Sequence, residues 1–420
     1  MKKVLIKIII SFSLLGLCIS QKILIPMDSQ QSDHLKAYGI AFQNLKNGKD
    51  VEWLLNYRGG SFLMDHTEAV TNDCTLKGVA YTLINTPMLA NILSDIDSNN
   101  MDIVLLEKVP KIAVYSPPDK FPWDDAVTLA LTYAEIDYDI LFDEEIIKGK
   151  LSDYDWLHLH HEDFTGQYGK FYRSFRNAEW YKQMESDFNQ IAGQFGYHSV
   201  HQLKKDIALK IKQFISDGGF MFAMCSATDS FDIALAAYDV DIVEQVYDYT
   251  PVDPNYRKKL DFSKGVAFEN YSLYTDPMVY EYSNIDYPSN QQPKVKTPEK
   301  DYFTLFEFSA KWDPVPTMLT QNHVGIINGF MGQTTGFNRS YLKKHIVVLA
   351  EVENDPQVKY IHGNAGKGTF TFYAGHDPED YTHKIGDPVT DLSLHRNSPG
   401  YRLILNNVLF PAARKKDRKT

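Results

Sequence analysis

One junction constrains the fold of this chain more than any other part of the sequence: an apolar run ends at a cysteine, and a helical pattern follows at once. The run 219–224 precedes Cys225, and residues 226–237 have the small and apolar composition of a buried helix. A strand, sharp turn and helix in this order hold a side chain at the end of a parallel strand, beside the first helical N–H groups. We therefore predict that Cys225 is a nucleophile, with backbone N–H groups near Ser226 as oxyanion donors.

A base for this thiol is predicted from a second strand pattern. Residues 368–374 form an apolar run that leads into Gly375 and His376. Carboxylates follow at Asp377 and Glu379, and either would orient the imidazole, with Glu379 as the first choice. The sequence thus predicts a catalytic set in which Cys225 attacks, His376 transfers the proton and Glu379 orients the ring.

Two non-catalytic interpretations of Cys225 stay open at this point. A buried thiol that behaves as a small hydrophobe is one of them, and a disulfide with Cys74 is the other. We expect no disulfide, because Cys74 lies in the amino-terminal part of the chain, away from the predicted pocket.

Alternating strand and helix patterns predict an α/β fold with a mostly parallel, doubly wound sheet. The strand patterns occupy residues 111–116, 138–142, 156–160 and 219–224, and the helical patterns occupy residues 124–135 and 203–215. Ligands of such sheets collect at the carboxyl ends of the strands. The predicted pocket at that edge contains, besides the catalytic set, the binding residues Ser116, His160, His161, Glu162, Asp163 and Asp377.

The histidine-rich end of the 156–160 strand has an alternative interpretation as a metal site. Nitrogen and oxygen ligands would come from His158, His160, His161, Asp163, His376, Asp377, Asp380 and His383. Their spacing matches no specific zinc motif. We therefore predict neither a metal nor a cofactor, and a polar cluster that shapes the pocket.

Residues 21–107 resemble a reduced copy of the same design, with a strand at 22–26, a helix at 32–45 and a strand at 51–56. The loop 58–61, Arg-Gly-Gly-Ser, is predicted to be a turn, with phosphate binding as the minor alternative. The aromatic and proline-rich residues 241–344 are predicted to be an inserted subdomain that covers the site edge. The predicted divisions are 1–20, 21–107, 108–240, 241–344, 345–412 and a basic tail, 413–420.

The order of these motifs resembles the class I glutamine amidotransferase-like superfamily, whose triad is a cysteine at an elbow and a strand that ends in His-Pro-Glu. The resemblance implies a flavodoxin-like sheet and assigns the triad to Cys225, His376 and Glu379. This sequence departs from the pattern by one residue, Asp377, inserted between the histidine and the proline, and by Ala223 and Ala227 in place of glycines.

Over nearly its full length the chain is also similar to a family of exported bacterial proteins labelled asparagine synthetase B, through residues 156–172, 375–381 and 398–412. That label implies glutamine-dependent amide synthesis. Such an enzyme needs an amino-terminal cysteine and a Ser-Gly-Gly-x-Asp-Ser loop for ATP, and this sequence has neither.

The amino-terminal residues predict a location. Lys2 and Lys3, the apolar run 4–17 and the small residues before Gln21 are typical of a signal peptide, with lipidation of Cys18 as the alternative. The sequence thus predicts a periplasmic or secreted protein without a membrane span. Its net charge of −11 disfavours nucleic acid as a partner.

Two classes of function follow from these observations. The first is a cysteine-dependent amide or ester hydrolase that acts on a small molecule. The second is a catalytically inactive binding protein that uses the same crevice and its aromatic insertion to hold an envelope glycan or peptide.

Overall fold

The computed structural model describes residues 21–117, 125–287, 297, 299–320, 324–329, 332–381 and 386–414. The strands within them form two sheets, one of five strands and one of ten. The predicted signal peptide, residues 415–420 of the predicted basic tail, and His383 lie outside these residues. In the described part of the chain, none of the helices has the length and continuous apolar character of a membrane span.

The small sheet belongs to the amino-terminal lobe. Its strands are β1 Lys22–Ile25, β2 Val51–Leu55, β3 Ser61–Asp65, β4 Thr82–Ile84 and β5 Asp102–Leu106, and its helices are α1 His34–Lys46, α2 Glu68–Lys77 and α3 Thr86–Ser98. The strand order is β4-β1-β3-β2-β5, and every neighbouring pair is antiparallel.

The lobe therefore corrects one prediction, because it is not a smaller copy of a parallel design. β1 and β2 are not neighbours: β3 lies between them and is antiparallel to both. The physical cause is the turn after β2, in which Gly59 and Gly60 adopt φ of 79° and 87°. These left-handed angles suit glycine and let β3 fold back on β2.

The large sheet occupies the rest of the chain. Its strands are β6 Ile112–Tyr115, β7 Asp139–Leu141, β8 Trp156–Leu159, β9 Phe220–Met224, β10 Tyr302–Leu305, β11 Ile326–Asn328, β12 Phe337–Asn338, β13 Val347–Glu351, β14 Gln357–Ala365 and β15 Gly368–Tyr373. Five neighbours, in the order β7-β6-β8-β9-β15, run parallel. The remaining pairs are antiparallel.

This half-and-half sheet corrects the prediction of a mostly parallel one. The strands β10, β11 and β12 come from the predicted insertion, 241–344, and the first two extend the large sheet through β13. Strand patterns in a sequence do not reveal the direction of pairing, so the antiparallel half was not foreseen. The fold is accordingly α/β with a mixed large sheet.

Helices cover both faces of the parallel half. The helices of this part of the chain are α4 Ala126–Ala134, α5 Asp143–Ile147, α6 Tyr172–Phe175, α7 Glu179–Gln194, α8 Val200–Asp217, α9 Ser226–Ala236, α10 Gln245–Asp248, α11 Tyr256–Lys259 and α12 Pro399–Leu409. Alternate residues of β9 enter two different cores. Phe222 joins the core formed with α1, α4 and α12, and Ala223 joins the core formed with α8 and α9.

Candidate active site

Cys225 lies at the sharp junction between β9 and α9. Its backbone angles, φ 46° and ψ −135°, belong to a region that residues other than glycine rarely adopt. Its N–H donates to the Tyr373 carbonyl of β15 at 3.3 Å, so the turn begins at the last bond of the ladder. The N–H of Ala227 donates to the His160 carbonyl at 3.1 Å. These bonds fix the sulfur at the carboxyl edge of the parallel strands.

His376 follows β15, the neighbour of β9 in the sheet. Gly375 makes the turn between the end of β15 and His376, with φ of 96°. The Nε2 atom of His376 lies 3.3 Å from Cys225 Sγ, which is hydrogen-bond distance for a thiol. The strand-end placement inferred from the sequence thus brings the two side chains into contact, while their catalytic roles stay a prediction.

A second histidine and a carboxylate continue this contact. The Nδ1 atom of His376 lies 3.3 Å from His160 Nε2, and His160 Nδ1 lies 2.9 Å from Asp125 Oδ2. The other Asp125 oxygen accepts a hydrogen bond from the Thr128 N–H at 2.7 Å and caps α4. We call Asp125, His160, His376 and Cys225 the relay.

The hydrogen bonds of the relay are consistent with a single set of tautomers. An ionised carboxylate only accepts, so a neutral His160 carries its proton on Nδ1 and accepts at Nε2. His376 must then donate from Nδ1, which leaves its Nε2 lone pair facing the Cys225 thiol. Asp125 therefore orients a base that it does not touch, through His160.

Charges within the relay favour the ionised form of Asp125. Burial raises the pKa of Asp125, but His158 and His160 lower it, and the net shift is well below the usual range. Burial lowers the pKa of His160, but the Asp125 carboxylate raises it, and the net shift is upward. The carboxylate end of the relay is thus ionised at neutral pH.

The thiol end of the relay is closed to solvent. Cys225 is fully buried, and burial raises the pKa of its thiol to about 12, although N–H groups of Thr334, Gln333 and Ser226 lower it. A Cβ atom on Gly332 would lie 3.2 Å from Cys225 Sγ and 2.7 Å from His376 Cδ2. The backbone of residues 332–336, the covering loop, therefore lies directly against the thiol and the base.

Side chains on several elements hold the covering loop in place. The Thr334 hydroxyl donates to Asp229 Oδ1 of α9 at 3.0 Å, and its carbonyl accepts from the Gly375 N–H at 2.9 Å. Gln333 Nε2 donates to the carbonyls of Gly169 and Tyr280, at 3.0 and 2.7 Å. The loop is thus anchored on both sides of the relay.

Two buried carboxyl groups near the relay titrate near neutral pH. Burial and the charge of Asp125 raise the pKa of Glu162 to about 7, and its Oε2 accepts from the His160 N–H at 2.8 Å. Burial likewise raises the pKa of Asp229 to about 7, although the Thr334 hydroxyl lowers it. Desolvation penalises the charged carboxylate, so both groups bind a proton more tightly in the folded chain.

The other residues predicted from the sequence occupy several positions. Ser116 follows β6 at the same sheet edge, and its hydroxyl donates to the Pro117 carbonyl at 3.4 Å. Asp163 accepts from the N–H groups of Thr165 and Gly169, at 2.6 and 3.1 Å, and so organises the loop after β8.

The two candidate orienting carboxylates make contacts beyond the relay. Asp377 is fully buried, and its Oδ1 accepts from the Tyr401 hydroxyl at 3.3 Å. Glu379 Oε2 lies 3.2 Å from His395 Nδ1. His376 Nδ1 thus contacts His160, whereas Glu379 contacts His395. The predicted role of Glu379 stays a prediction.

Sequence reasoning missed Asp125, which completes the relay. The available signal was its place at the start of the 124–135 helical pattern, where an aspartate commonly caps the first turn. Nothing in the pattern showed that its second oxygen would meet His160, some 35 residues later in the chain. His158 Nε2 shares that oxygen at 3.2 Å.

Two groups of side chains near the relay have the geometry to hold a metal ion. The possible ligand atoms of His160, His161 and His376 lie within 4.8 Å of one another, and so do those of Asp125, His158 and His160.

The two cysteines of the described chain, Cys74 and Cys225, are both free thiols.

Comparisons with known proteins do not identify a family. No family model and no curated protein matches the sequence. Two cytoplasmic proteins from Salmonella typhimurium are similar in structure, with TM-scores of 0.36 and 0.34 and identities of 10% and 13%. The similarities cover 73% and 72% of this chain and 100% of each Salmonella chain. A β-galactosidase from Bacillus circulans sp. alkalophilus has a TM-score of 0.25 at 12% identity, over 64% of this chain and 29% of its own.

The predicted location of the protein is corrected by this comparison. The sequence predicted a periplasmic or secreted protein, whereas both Salmonella proteins are named as cytoplasmic. The prediction of export is therefore contradicted and is withdrawn.

Proposed function

We propose that the protein is a cysteine-dependent amide or ester hydrolase whose nucleophile is Cys225. The observation that carries the proposal is the 3.3 Å contact between Cys225 Sγ and His376 Nε2 at a strained strand-to-helix turn. Backbone strain persists where surrounding structure enforces it, and it is common at catalytic nucleophiles. The proposal includes a class I glutamine amidotransferase-like, flavodoxin-like origin for the parallel half of the large sheet.

The relay suits the proton transfers of this reaction. Cys225 Sγ attacks the substrate carbonyl carbon while its proton passes to His376 Nε2, and the resulting imidazolium is stabilised through His160 by Asp125. His376 then returns the proton to the departing amine or alcohol, which leaves a thioester on Cys225. Water, deprotonated by His376, attacks the thioester and releases the acid and the thiol.

In the proposed reaction the covering loop supplies N–H donors to the oxyanion. The N–H groups of Ser226, Gln333 and Thr334 are close enough to influence the Cys225 sulfur, and such donors would stabilise the oxyanion of a tetrahedral intermediate. Cys225 is fully buried, and the backbone at Gly332 lies directly against its sulfur. In the proposed reaction a substrate therefore reaches the sulfur when the covering loop moves.

A second candidate function rests on the closed state of the site. Cys225 is fully buried with the backbone at Gly332 against its sulfur, as a structural cysteine would be. A protein that binds a glycan or peptide without chemistry would keep the crevice and the buried thiol. The two candidates differ in the reactivity of Cys225. In the hydrolase Cys225 attacks an electrophile, and in the binding protein it does not.

Acylation of Cys225 tests the proposal. The full chain is incubated near neutral pH with p-nitrophenyl esters of increasing acyl size, and peptides are mapped by mass spectrometry after an acid quench. We expect an acyl group on Cys225 and none on Cys74. His376→Ala should slow acylation by about 10²- to 10⁴-fold, because the general base is lost.

The matched control is His345→Ala, which removes an exposed histidine that is not part of the relay. It should acylate at the wild-type rate. Equal, slow acylation of Cys74 and Cys225, unaffected by His376→Ala, would overturn the hydrolase and favour the binding protein.

A further inference from the structure

We propose that His160, His161 and His376 bind a divalent transition-metal ion, with Zn²⁺ as the preferred ion, and that the bound ion blocks Cys225. The blocking rests on the proposed function, whereas the binding itself does not. The sequence favoured a metal-free polar cluster because no zinc spacing is present. A metal ion is bound by ligands that are close in space, and these three histidines are close in the folded chain.

The distances suit a zinc site with three nitrogen ligands. The ligand atoms of the three histidines lie within 4.8 Å of one another. Zinc–nitrogen bonds are about 2.0–2.1 Å long, so nitrogen ligands of a tetrahedral site are about 3.4 Å apart. His160 Nε2 and His376 Nδ1 are already 3.3 Å apart, so this pair needs little movement, and the His161 ligand atom lies within 4.8 Å of both.

Asp125 supplies the support that metal-binding histidines usually have. Its Oδ2 atom accepts from His160 Nδ1 at 2.9 Å, which fixes the tautomer with the Nε2 lone pair facing His376. A carboxylate behind a ligating histidine orients the ring and makes it a better ligand. The Glu162 carboxyl lies 2.8 Å from the His160 N–H and adds an acidic group beside the site.

A metal at this position would change the tautomer of His376. In the relay, His376 Nδ1 carries the proton and Nε2 accepts from the thiol. Coordination uses the Nδ1 lone pair, so the neutral ring must carry its proton on Nε2. That N–H faces Cys225 Sγ and cannot take the thiol proton. Metal binding and base catalysis by His376 therefore exclude each other.

Binding is tested on the full chain without an affinity tag, after treatment with EDTA. Zn²⁺ is titrated by calorimetry, and Co²⁺ is titrated with detection of its visible absorption. We expect one equivalent of Zn²⁺ in the wild type and at least tenfold weaker binding in His161→Ala, which loses one of three ligands. The control His198→Ala removes an exposed histidine and should bind like the wild type.

Absence of binding in the wild type, or equal affinity in His161→Ala, would overturn the proposal. If His161→Ala does not fold, His161→Gln, which is closer in volume, takes its place. The visible spectrum of the Co²⁺ protein should be that of a four- or five-coordinate ion. An octahedral spectrum, as for hydrated Co²⁺, would also overturn the site.

Blocking is tested by the rate at which the thioester on Cys225 is hydrolysed, the step in which His376 must deprotonate water, with and without saturating Zn²⁺. We expect release of the acyl group from wild-type Cys225 to slow at least tenfold with Zn²⁺, and the ratio of rates in His161→Ala to stay near one at the same Zn²⁺ concentration. Binding without any change in the rate of thioester hydrolysis would overturn the blocking. A Cys225 that forms no thioester even in the metal-free protein would count against the proposed function and leave the calorimetric result standing.

Discussion

Cys74 and Cys225 are both fully buried, and burial raises the pKa of each thiol to about 12. Cys74 lies within α2 and packs into the core that includes Val70 and Val79. Cys225 lies at a turn with φ of 46°, with an imidazole nitrogen 3.3 Å from its sulfur. Burial is the largest cause of the raised pKa at both thiols, and the difference between them lies in backbone geometry and in the neighbouring base.

Burial by itself does not reveal the role of a cysteine. A raised thiol pKa indicates a desolvated group, and it does not separate a structural cysteine from a nucleophile that is covered at rest. The relay and the covering loop are what distinguish the Cys225 region. Three predictions test that distinction, each by a change that should affect the two regions differently.

The largest effect is expected from Asp125→Asn. Asparagine caps a helix as well as aspartate does, so α4 should keep its first turn. With its carbonyl oxygen at the cap, its amide N–H₂ would face His160 Nδ1, where a donor meets a donor. Alkylation of Cys225 by iodoacetamide should then be slowed by about 10²-fold, because His376 loses its orientation.

Alkylation of Cys74 after denaturation supplies the internal standard for this measurement. Asp73→Asn, next to Cys74, is the matched control and should leave the rate at Cys225 unchanged. An Asp125→Asn protein that alkylates at the wild-type rate would show that the relay ends at His376.

The second effect concerns the pH dependence of stability. The pKa of Glu162 is raised from the ordinary 4.5 to about 7, so the folded chain binds this proton more tightly than the unfolded chain. The resulting stabilisation is complete below about pH 4.5 and is lost as the pH rises to about 7. Glu162→Gln removes the titration and keeps an acceptor for the His160 N–H.

Relative to wild type, Glu162→Gln should therefore gain on the order of 2 kcal/mol in unfolding free energy between pH 5 and pH 8. Chemical denaturation at the two pH values measures this difference. The control Glu68→Gln changes an exposed carboxylate on α2, the helix of Cys74, and should show no such gain. If the unfolding free energy of Glu162→Gln changed between the two pH values as much as that of the wild type, the raised pKa of Glu162 would be contradicted.

The smallest effect is on the unfolding free energy, where the difference between a glycine and an alanine variant should have opposite signs at the two cysteine positions. At position 225 the positive φ favours glycine, so Cys225→Gly should be more stable than Cys225→Ala by about 1 kcal/mol. At position 74 the backbone is helical, so Cys74→Gly should be less stable than Cys74→Ala by about 1 kcal/mol. Unfolding free energies of the four variants test this, and equal signs at both positions would show that the Cys225 turn relaxes.

Part of the site was accessible from the sequence because it depends on local order. A strand pattern followed by a polar residue places that residue at a strand end, and the strand ends of a parallel sheet share one edge. Cys225, His376, His160 and Glu162 were predicted at that edge on this basis. Their contacts with one another depend only on β8, β9 and β15 being neighbours.

The sequence by itself determined which segments are strands and helices around Cys225, because hydrophobic periodicity and turn residues are local properties. Tertiary structure alone decided the antiparallel pairing of the amino-terminal lobe, since the strand patterns fit either direction. It alone joined Asp125 to His160 and laid the covering loop over the thiol. Such contacts join segments that are distant in the chain, and they depend on packing that no local pattern encodes.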